Sequence, residues 1–339
     1  MRMIIPGSQL RARLGAALAA LTVAFVLAAC SGGVPQIPPS EQPLSKDAMM
    51  LLGRKGMDQG APIFVRIFKE ESELEVWKAR NDGRFYHFKT YPICNWSGKV
   101  GPKRKQGDRQ APEGFYRVSQ RQLNPNSSYH LAFNIGYPNA YDRSQSRTGQ
   151  HLMVHGDCKS AGCYAMTDAL IEEIYGLARE ALRGGQESFE VHAFPFRMTS
   201  ANMARHRNNP NYRFWRTLKK GYDFFELYRL PPTVAVCERR YVVNVSMPTN
   251  ASLRPDGMCP RFRHPIYEPF RPKPDELQVA NERITVPGPK MRDFASANPS
   301  AITAPQPTLA ARPSGAPYMS ALGGPVETGS TERAAPGSP

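Results

Sequence analysis

The chain has 339 residues, 32 of them proline, and a formal net charge of +15. Its length would suffice for two domains, but the prolines are concentrated towards the two ends. Segments rich in Pro, Ala, Ser and Gly cannot bury enough apolar surface to offset the entropy lost on ordering. Composition therefore argues against two domains and for one central domain with tails.

The first thirty residues have the pattern of a secretory signal that ends in a lipidated cysteine. Three arginines precede an apolar run over 14–29, and small residues stand before Cys30. This order is typical of a signal peptide, and its end resembles a bacterial lipobox. An uncleaved anchor is the alternative, although the run is short of the ~20 residues that span a bilayer. We therefore predict lipidation of Cys30 at the periplasmic face, and Ser31 favours the outer membrane.

The chain is accordingly divided into four regions. We predict a lipoprotein-type signal peptide (1–29), a linker (30–60), a folded domain (61–245) and a largely disordered Pro/Ala/Ser-rich tail (246–339). Export makes nucleic acid an unexpected partner for so basic a chain. Anionic cell wall or acidic lipid is expected instead.

Apolar residues alternate with polar ones through much of the folded domain, which predicts strands. The first three, around 63–68, 73–78 and 85–88, form an antiparallel meander with a hairpin turn at Asn81-Asp82-Gly83. Further strands are predicted at 115–119, 129–135, 151–155 and 189–194.

Two segments have helical character. The first is capped by Thr167 or Asp168 and stops at Gly184-Gly185. The second covers about 200–220, is interrupted at Pro210, and has Phe214, Trp215 and Leu218 as its predicted docking face.

An imidazole and two thiols share one short, glycine-rich segment, residues 153–166. A thiol attacks as thiolate, so a catalytic cysteine needs a base such as histidine nearby. The glycines let the backbone bend so that His155 and Cys163 face each other, and they leave N–H groups for an oxyanion. The alternative is a buried thiol beside a core histidine.

Cys158 is an alternative candidate for the nucleophile. It is close to His155, but it lacks the Ser-x-Gly approach and the following helix start that mark Cys163. A zinc site of His155, Cys158 and Cys163 is a further alternative, yet no other His/Cys pair stands nearby at ligand spacing. We therefore predict Cys163 as nucleophile, with no metal and no cofactor.

These residues resemble the YkuD-type L,D-transpeptidases, and in particular their YafK-like subgroup. The resemblance is carried by His155-Gly156 followed by Ser160-Ala161-Gly162-Cys163, and it extends from about 63 to about 243. The chain departs from the wider family in two ways that the subgroup shares. The gap between His155 and Cys163 is short, and Ala165 stands where an Arg often follows the nucleophile. Other similar stretches are Tyr91-Pro92-Ile93-Cys94, Ala111-Pro112-Glu113-Gly114-Phe115-Tyr116, Tyr137-Pro138-Asn139-Ala140-Tyr141-Asp142 and Phe194-Pro195-Phe196-Arg197-Met198-Thr199.

The resemblance implies a mostly β, α+β fold, with a sandwich- or barrel-like catalytic domain and packed helices. Cys163 would form a thioester with a murein stem peptide and His155 would be its base. A backbone carbonyl near Gly156 is expected to hold the second nitrogen of His155, since Asp157 should point away. Oxyanion or substrate binding is assigned to Gly156, Ser160, Gly162 and Tyr164.

Three functions follow. The first is acyl transfer between stem peptides, which forms cross-links, or from a stem peptide to a lipoprotein, which attaches that lipoprotein to the wall. It would serve cell wall biogenesis and cell shape. The alternative is a cysteine amidase or carboxypeptidase that hydrolyses stem-peptide bonds or detaches a wall-linked lipoprotein. A non-catalytic wall-binding lipoprotein is the weakest of the three, because it needs no His/Cys pair.

Five basic residues lie close together in the folded domain and form either a solvated loop or a contact for stem-peptide carboxylates. They are Lys99, Lys103, Arg104, Lys105 and Arg109.

Four cysteines remain beside Cys30 and Cys163. In an oxidising periplasm this even set allows two disulfides in three pairings. Of these we select Cys94 with Cys158 and Cys237 with Cys259.

Overall fold

The computed structural model describes residues 36–248 and 253–271. The predicted signal peptide, Cys30 and the chain after Arg271 lie outside the described residues. A first unit ends at Glu41 and contains one 3-10 turn, Pro39–Glu41. The second unit starts at Gln42 and carries the sheets and helices. Among the described residues, no helix combines the length and apolarity that crossing a membrane requires.

Twelve strands and five α-helices make up this second unit over the described residues. The strands are β1 Ile63–Phe68, β2 Glu73–Ala79, β3 Phe85–Pro92, β4 Asn95–Trp96, β5 Gly114–Ser119, β6 Leu123–Ser127, β7 His130–Asn134, β8 Met153–His155, β9 Tyr164–Ala165, β10 Ser188–Phe194, β11 Val234–Cys237 and β12 Arg240–Val243. The helices are α1 Lys46–Arg54, α2 Ala140–Ser144, α3 Asp168–Arg183, α4 Ser200–Arg205 and α5 Tyr212–Tyr228.

The first large sheet is covered on both faces. Its order is β3-β2-β1-β10-β5, with β1 and β10 parallel and the other pairs antiparallel. All six residues of β1 are buried, because alternate side chains point to opposite faces and each face has a helix on it. Val65 and Ile67 share a core with α3, whereas Phe64 packs against Phe225 of α5.

The second large sheet holds the candidate site. Its order is β4-β9-β8-β7-β6, and only its β8–β9 pair is parallel. It joins the same core as the first sheet: Phe133 of β7 and Phe189 of β10 meet edge to face with ring centroids 5.6 Å apart. α3 begins directly after β9 and packs on β7. The protein thus has the α+β fold that the resemblance implied.

Most of the predicted elements are confirmed. The early meander, the strands at 115–119 and 189–194 and the helix ending before Gly184 all occur. Trp215 and Leu218 are fully buried on α5, with Phe214 packed beside them. Strands β4 and β9 have two residues each and β11 and β12 four, too few for a period of two to be recognised in the sequence.

Two ranges contain more structure than predicted. The predicted linker contains α1, which is capped by the side chain of Ser45 and buries Ala48, Leu51 and Leu52 at helical spacing. The predicted tail includes residues 253–271, where Phe270 N–H donates to the Leu227 carbonyl at 2.9 Å. In both ranges a few apolar residues find partners far along the chain, which composition alone does not show.

Candidate active site

Strand register places the predicted base and nucleophile on one face of the second sheet. In the parallel β8–β9 pair, Val154 is opposite Tyr164 and His155 is opposite Ala165. Extending this register by one residue puts Cys163 opposite Met153, which is two residues before His155. Side chains two residues apart share a face of a sheet. The thiol and the imidazole accordingly lie on the same side.

The His155 imidazole is buried and oriented by the backbone. Its Nδ1 lies 2.6 Å from the carbonyl oxygen of Gly156, which confirms the predicted backbone partner. A carbonyl only accepts, so Nδ1 carries the proton and Nε2 is left with its lone pair. Burial lowers the pKa of His155, against the opposing effects of the Gly156 carbonyl and Asp157. The ring is therefore a neutral base with Nε2 as its basic atom.

The Cys163 side chain is half-buried and protonated. Its Sγ lies 3.5 Å from the His151 carbonyl and accepts from the Met153 N–H at 3.4 Å. Burial raises the pKa of Cys163, while the Met153 N–H and the Lys103 charge lower it to a smaller extent. Both pKa directions favour a neutral thiol beside a neutral imidazole. Reaching His155 Nε2 requires the thiol to leave the His151 carbonyl, as catalytic hydrogen bonds often tighten only with substrate bound.

An aromatic ring, which sequence reasoning missed, covers the imidazole. The Tyr129 ring lies 4.8 Å from the His155 ring, tilted by 35°, and the residue is 44% exposed. The β6–β7 hairpin, with Ser127 opposite His130, brings it there. No local motif around Tyr129 signals this position, because the contact depends on how two strands pair.

Comparison with known proteins identifies the family. The YkuD model, described as an L,D-transpeptidase catalytic domain, matches residues 64–184, a range that contains His155 and Cys163. "Putative L,D-transpeptidase YafK" of Escherichia coli strain K12 is 45% identical over 227 residues, which cover 66% of this chain and 89% of that protein. The protein of the same name from E. coli O157:H7 gives the same values. This chain belongs to the YkuD family of L,D-transpeptidases.

A solved structure also shows a distant likeness. The helical cell shape determining protein Pgp2 from Campylobacter jejuni is 19% identical, with a TM-score of 0.33. The match covers 53% of this chain and 68% of that one. Family membership rests on the family model and the two E. coli relatives. It makes the protein an L,D-transpeptidase with a function related to peptidoglycan.

A backbone N–H without an acceptor lies at Cys163 of this L,D-transpeptidase. Among the described residues, the N–H of Cys163 has no hydrogen-bond acceptor. The N–H of Gly162 lies 3.3 Å from Ser160 Oγ, which itself donates to the Cys163 carbonyl at 2.7 Å. Ser160 thus braces the turn before Cys163. A free N–H beside a thiol is the kind of donor that stabilises a tetrahedral intermediate of acyl transfer.

Two of the predicted oxyanion or substrate residues have other contacts. The Gly156 N–H is engaged by the carbonyls of Tyr129 and Leu131, so Gly156 acts on the site through its carbonyl oxygen. Tyr164 is fully buried and its hydroxyl donates to the Pro112 carbonyl. Its side chain therefore braces the loop that precedes β5.

The basic run divides into one buried and four exposed residues. Lys99, Arg104, Lys105 and Arg109 are exposed, as expected of a solvated loop. Lys103 differs, because it is buried with Nζ 2.5 Å from Asp108 Oδ1. Its charge is nevertheless close enough to lower the pKa of Cys163.

A buried ion pair anchors the loop that carries this run. Lys69 Nζ lies 2.8–2.9 Å from the carbonyl oxygens of Lys99, Gly101 and Ala111 and 3.0 Å from Glu113 Oε1, and these four acceptors share its three N–H groups. Trp215 Nε1 donates to the other Glu113 oxygen at 2.8 Å. These partners of Nζ are all acceptors, which favours an ammonium although burial lowers the pKa of Lys69. Sequence reasoning did not identify this pair, since its members are far apart along the chain.

Both selected disulfides are confirmed. Cys94 is bonded to Cys158, and Cys237 to Cys259. Cys163 is the free cysteine of the described residues. The first bridge removes Cys158 both as an alternative nucleophile and as a thiolate ligand for the zinc site considered above.

Proposed function

We propose that this L,D-transpeptidase acts on peptidoglycan stem peptides through a Cys163 thioester, in cell wall biogenesis. The observation that carries the proposal is the shared face of His155 and Cys163, with His155 Nε2 deprotonated and the Cys163 N–H lacking an acceptor among the described residues. A base, a nucleophile and an oxyanion donor thus lie on one face of the sheet, as acyl transfer requires.

The first half-reaction forms the acyl-enzyme. The Cys163 thiol passes its proton to Nε2 of His155 while Sγ attacks a stem-peptide carbonyl carbon. Negative charge develops on the carbonyl oxygen, and the Cys163 N–H can donate to it. The C–N bond then breaks, the imidazolium protonates the departing amine, and the acyl group stays on sulfur as a thioester.

The second half-reaction releases the acyl group. An acceptor amine attacks the thioester, His155 takes the amine proton and then returns a proton to the departing sulfur. Transfer to an amine restores an amide bond, and this is the reaction we propose. Water in place of the amine would give hydrolysis, including release of a lipoprotein linked to the wall.

We further propose that the enzyme works at the periplasmic face of the membrane, held by a lipid on Cys30. The support is the sequence alone: a basic start, an apolar run and small residues before Cys30. A single acyl chain binds a membrane only weakly. The multiple acylation typical of a lipoprotein would hold the domain beside the wall, and Ser31 favours the outer membrane.

One experiment tests the reaction. Purified protein is incubated with defined muropeptides, with and without an amine acceptor, and the products are identified by mass. We expect an acyl adduct on Cys163, and a new amide product when the amine is present. Cys163→Ala is the control and should form neither. Products that appear equally in Cys163→Ala would overturn the mechanism, and free acid in place of the amide would assign hydrolysis.

A further inference from the structure

We infer that the Cys94–Cys158 disulfide is a positioning element of the active site, which holds the loop between His155 and Cys163 in its reactive conformation. This inference rests on the proposed role of these two residues. The bridge joins the short segment between β3 and β4 to the middle of that loop. It therefore connects the end of a strand of the first sheet to the segment that sets the distance between base and nucleophile.

The bridge is part of a small network around the loop. Cys94 N–H donates to the Ala165 carbonyl at 2.9 Å, and Asn95 Nδ2 donates to the Cys158 carbonyl at 3.2 Å. The second of these bonds joins the same two segments as the bridge does, and the first ties Cys94 to β9, directly after Cys163. A third, from Cys158 N–H to the Met166 carbonyl at 3.2 Å, ties the loop to the residue that follows β9. The disulfide is the covalent member of this set.

The loop needs such a tie because part of its backbone is in an unfavourable conformation. Asp157 and Cys158 have φ of 64° and 45°, in the left-handed region that residues other than glycine seldom occupy. Two such residues in succession persist only where surrounding contacts hold them. Asp168 Oδ1, which accepts from the Asp157 N–H at 2.9 Å, holds the first residue, and the bridge holds the second.

Relaxation of the loop would reach the catalytic groups through the backbone. Gly156 precedes the two left-handed residues, and its carbonyl is the partner of His155 Nδ1. A shift at Asp157 and Cys158 therefore changes the hydrogen bond that selects the tautomer and angle of the imidazole. Five residues further along, Cys163 depends on the same loop for its place beside Met153. Loss of the bridge should thus affect the pH profile as well as the rate.

The second disulfide offers a matched control. Cys237 and Cys259 are bonded 22 residues apart, and the hydrogen bonds of the described residues tie neither cysteine to the loop between His155 and Cys163. Opening either bridge increases the conformational entropy of the unfolded chain and so lowers global stability. Only the Cys94–Cys158 bridge should alter the chemistry at Cys163. The comparison separates positioning from a general stabilising effect.

The test measures acylation of Cys163 by muropeptide against pH in three proteins: the parent, Cys94→Ser/Cys158→Ser and Cys237→Ser/Cys259→Ser. Thermal unfolding is followed for each, and assays are run where all three are folded. We expect the first variant to be acylated about 10- to 100-fold more slowly, the cost of a displacement of roughly 1 Å. Its apparent pKa should also shift. The control variant should keep the parent rate and profile.

A reduction experiment covers the case in which the first variant fails to fold. Folded parent protein is treated with a water-soluble trialkylphosphine, which gives two electrons to the disulfide and takes the oxygen atom of a water molecule to become its oxide, while that water supplies the two thiol protons. Mass analysis of alkylated thiols shows which bridge has opened. A slower Cys163 acylation that tracks opening of Cys94–Cys158 supports the inference.

Each failure has its own signature. If the parent is not acylated at Cys163, the proposed function is wrong. If the parent is acylated, and both the variant lacking Cys94–Cys158 and the reduced parent react at the parent rate with the parent pH profile, the positioning role is wrong.

Discussion

Replacement of Lys69 by Met should destabilise the protein strongly, because it leaves a buried carboxylate without its cation. Lys69 and Glu113 side chains are both 0% exposed, and their N–O distance is 3.0 Å. Methionine has similar length and fills the space without charge. Breaking a buried pair by removing one partner costs about 3–5 kcal/mol, since the remaining charge is uncompensated.

The hydrogen-bonding groups around Lys69 and Glu113 determine how much stability Lys69→Met should lose. The three carbonyls near Lys69 Nζ also lie within 3.5 Å of Gln110 Nε2, whose two N–H groups can serve two of them at a time. Glu113 keeps the N–H of Gly101 and the indole of Trp215 but loses its ion pair. The loss should therefore be close to the cost of the orphaned carboxylate. At roughly 2–4 °C per kcal/mol for a domain of this size, melting should fall by about 6–20 °C.

Thermal and denaturant unfolding of Lys69→Met, Glu113→Gln and the double variant measure the effect. We expect the double variant to lose less than the sum of the single losses, by about 0.5–3 kcal/mol, because the orphaned charge is gone. The control is Lys219→Met. Lys219 forms an exposed ion pair with Asp223 at 2.6 Å, and such a pair contributes about 0.3–0.5 kcal/mol to the free energy of unfolding. A Lys69→Met protein as stable as Lys219→Met would refute the reasoning.

Further predictions concern the site and the chain ends. His155→Gln should slow Cys163 acylation by about 100- to 10,000-fold. The lowered pKa of His155 should keep the parent active below the ordinary imidazole pKa of about 6.5, because the ring stays neutral there. A His155→Gln protein with the rate and pH profile of the parent would remove His155 from the mechanism. Tyr129→Leu should expose the imidazole, raise its pKa and move the acid limb of the rate profile to higher pH, and Tyr129→Phe should not, as measured by acylation against pH. Cys30→Ser should leave the membrane fraction on cell fractionation, while removal of the chain from Pro287 should leave purified activity unchanged; membrane retention of the first or inactivity of the second would contradict these two expectations.

Much of the site was readable from residue order because its chemistry is local. His155 and Cys163 stand in one short segment, with glycines that permit its turns and a helix start directly after it. A backbone partner for His155 followed from the adjacent Gly156, and the structure has it at 2.6 Å. The longer strands and α3 could likewise be recognised, because their side-chain periods repeat over enough residues to be seen.

Only the tertiary structure decided which distant groups meet at that segment. Tyr129 covers His155 through the pairing of β6 and β7, and Lys69, just after β1, meets Glu113, just before β5. The N–H of Gly156 is engaged by two carbonyls, which only the neighbouring strand reveals. Such contacts depend on strand register and on how sheets pack. These are set by burial summed over the whole core, and no short stretch of sequence carries that information.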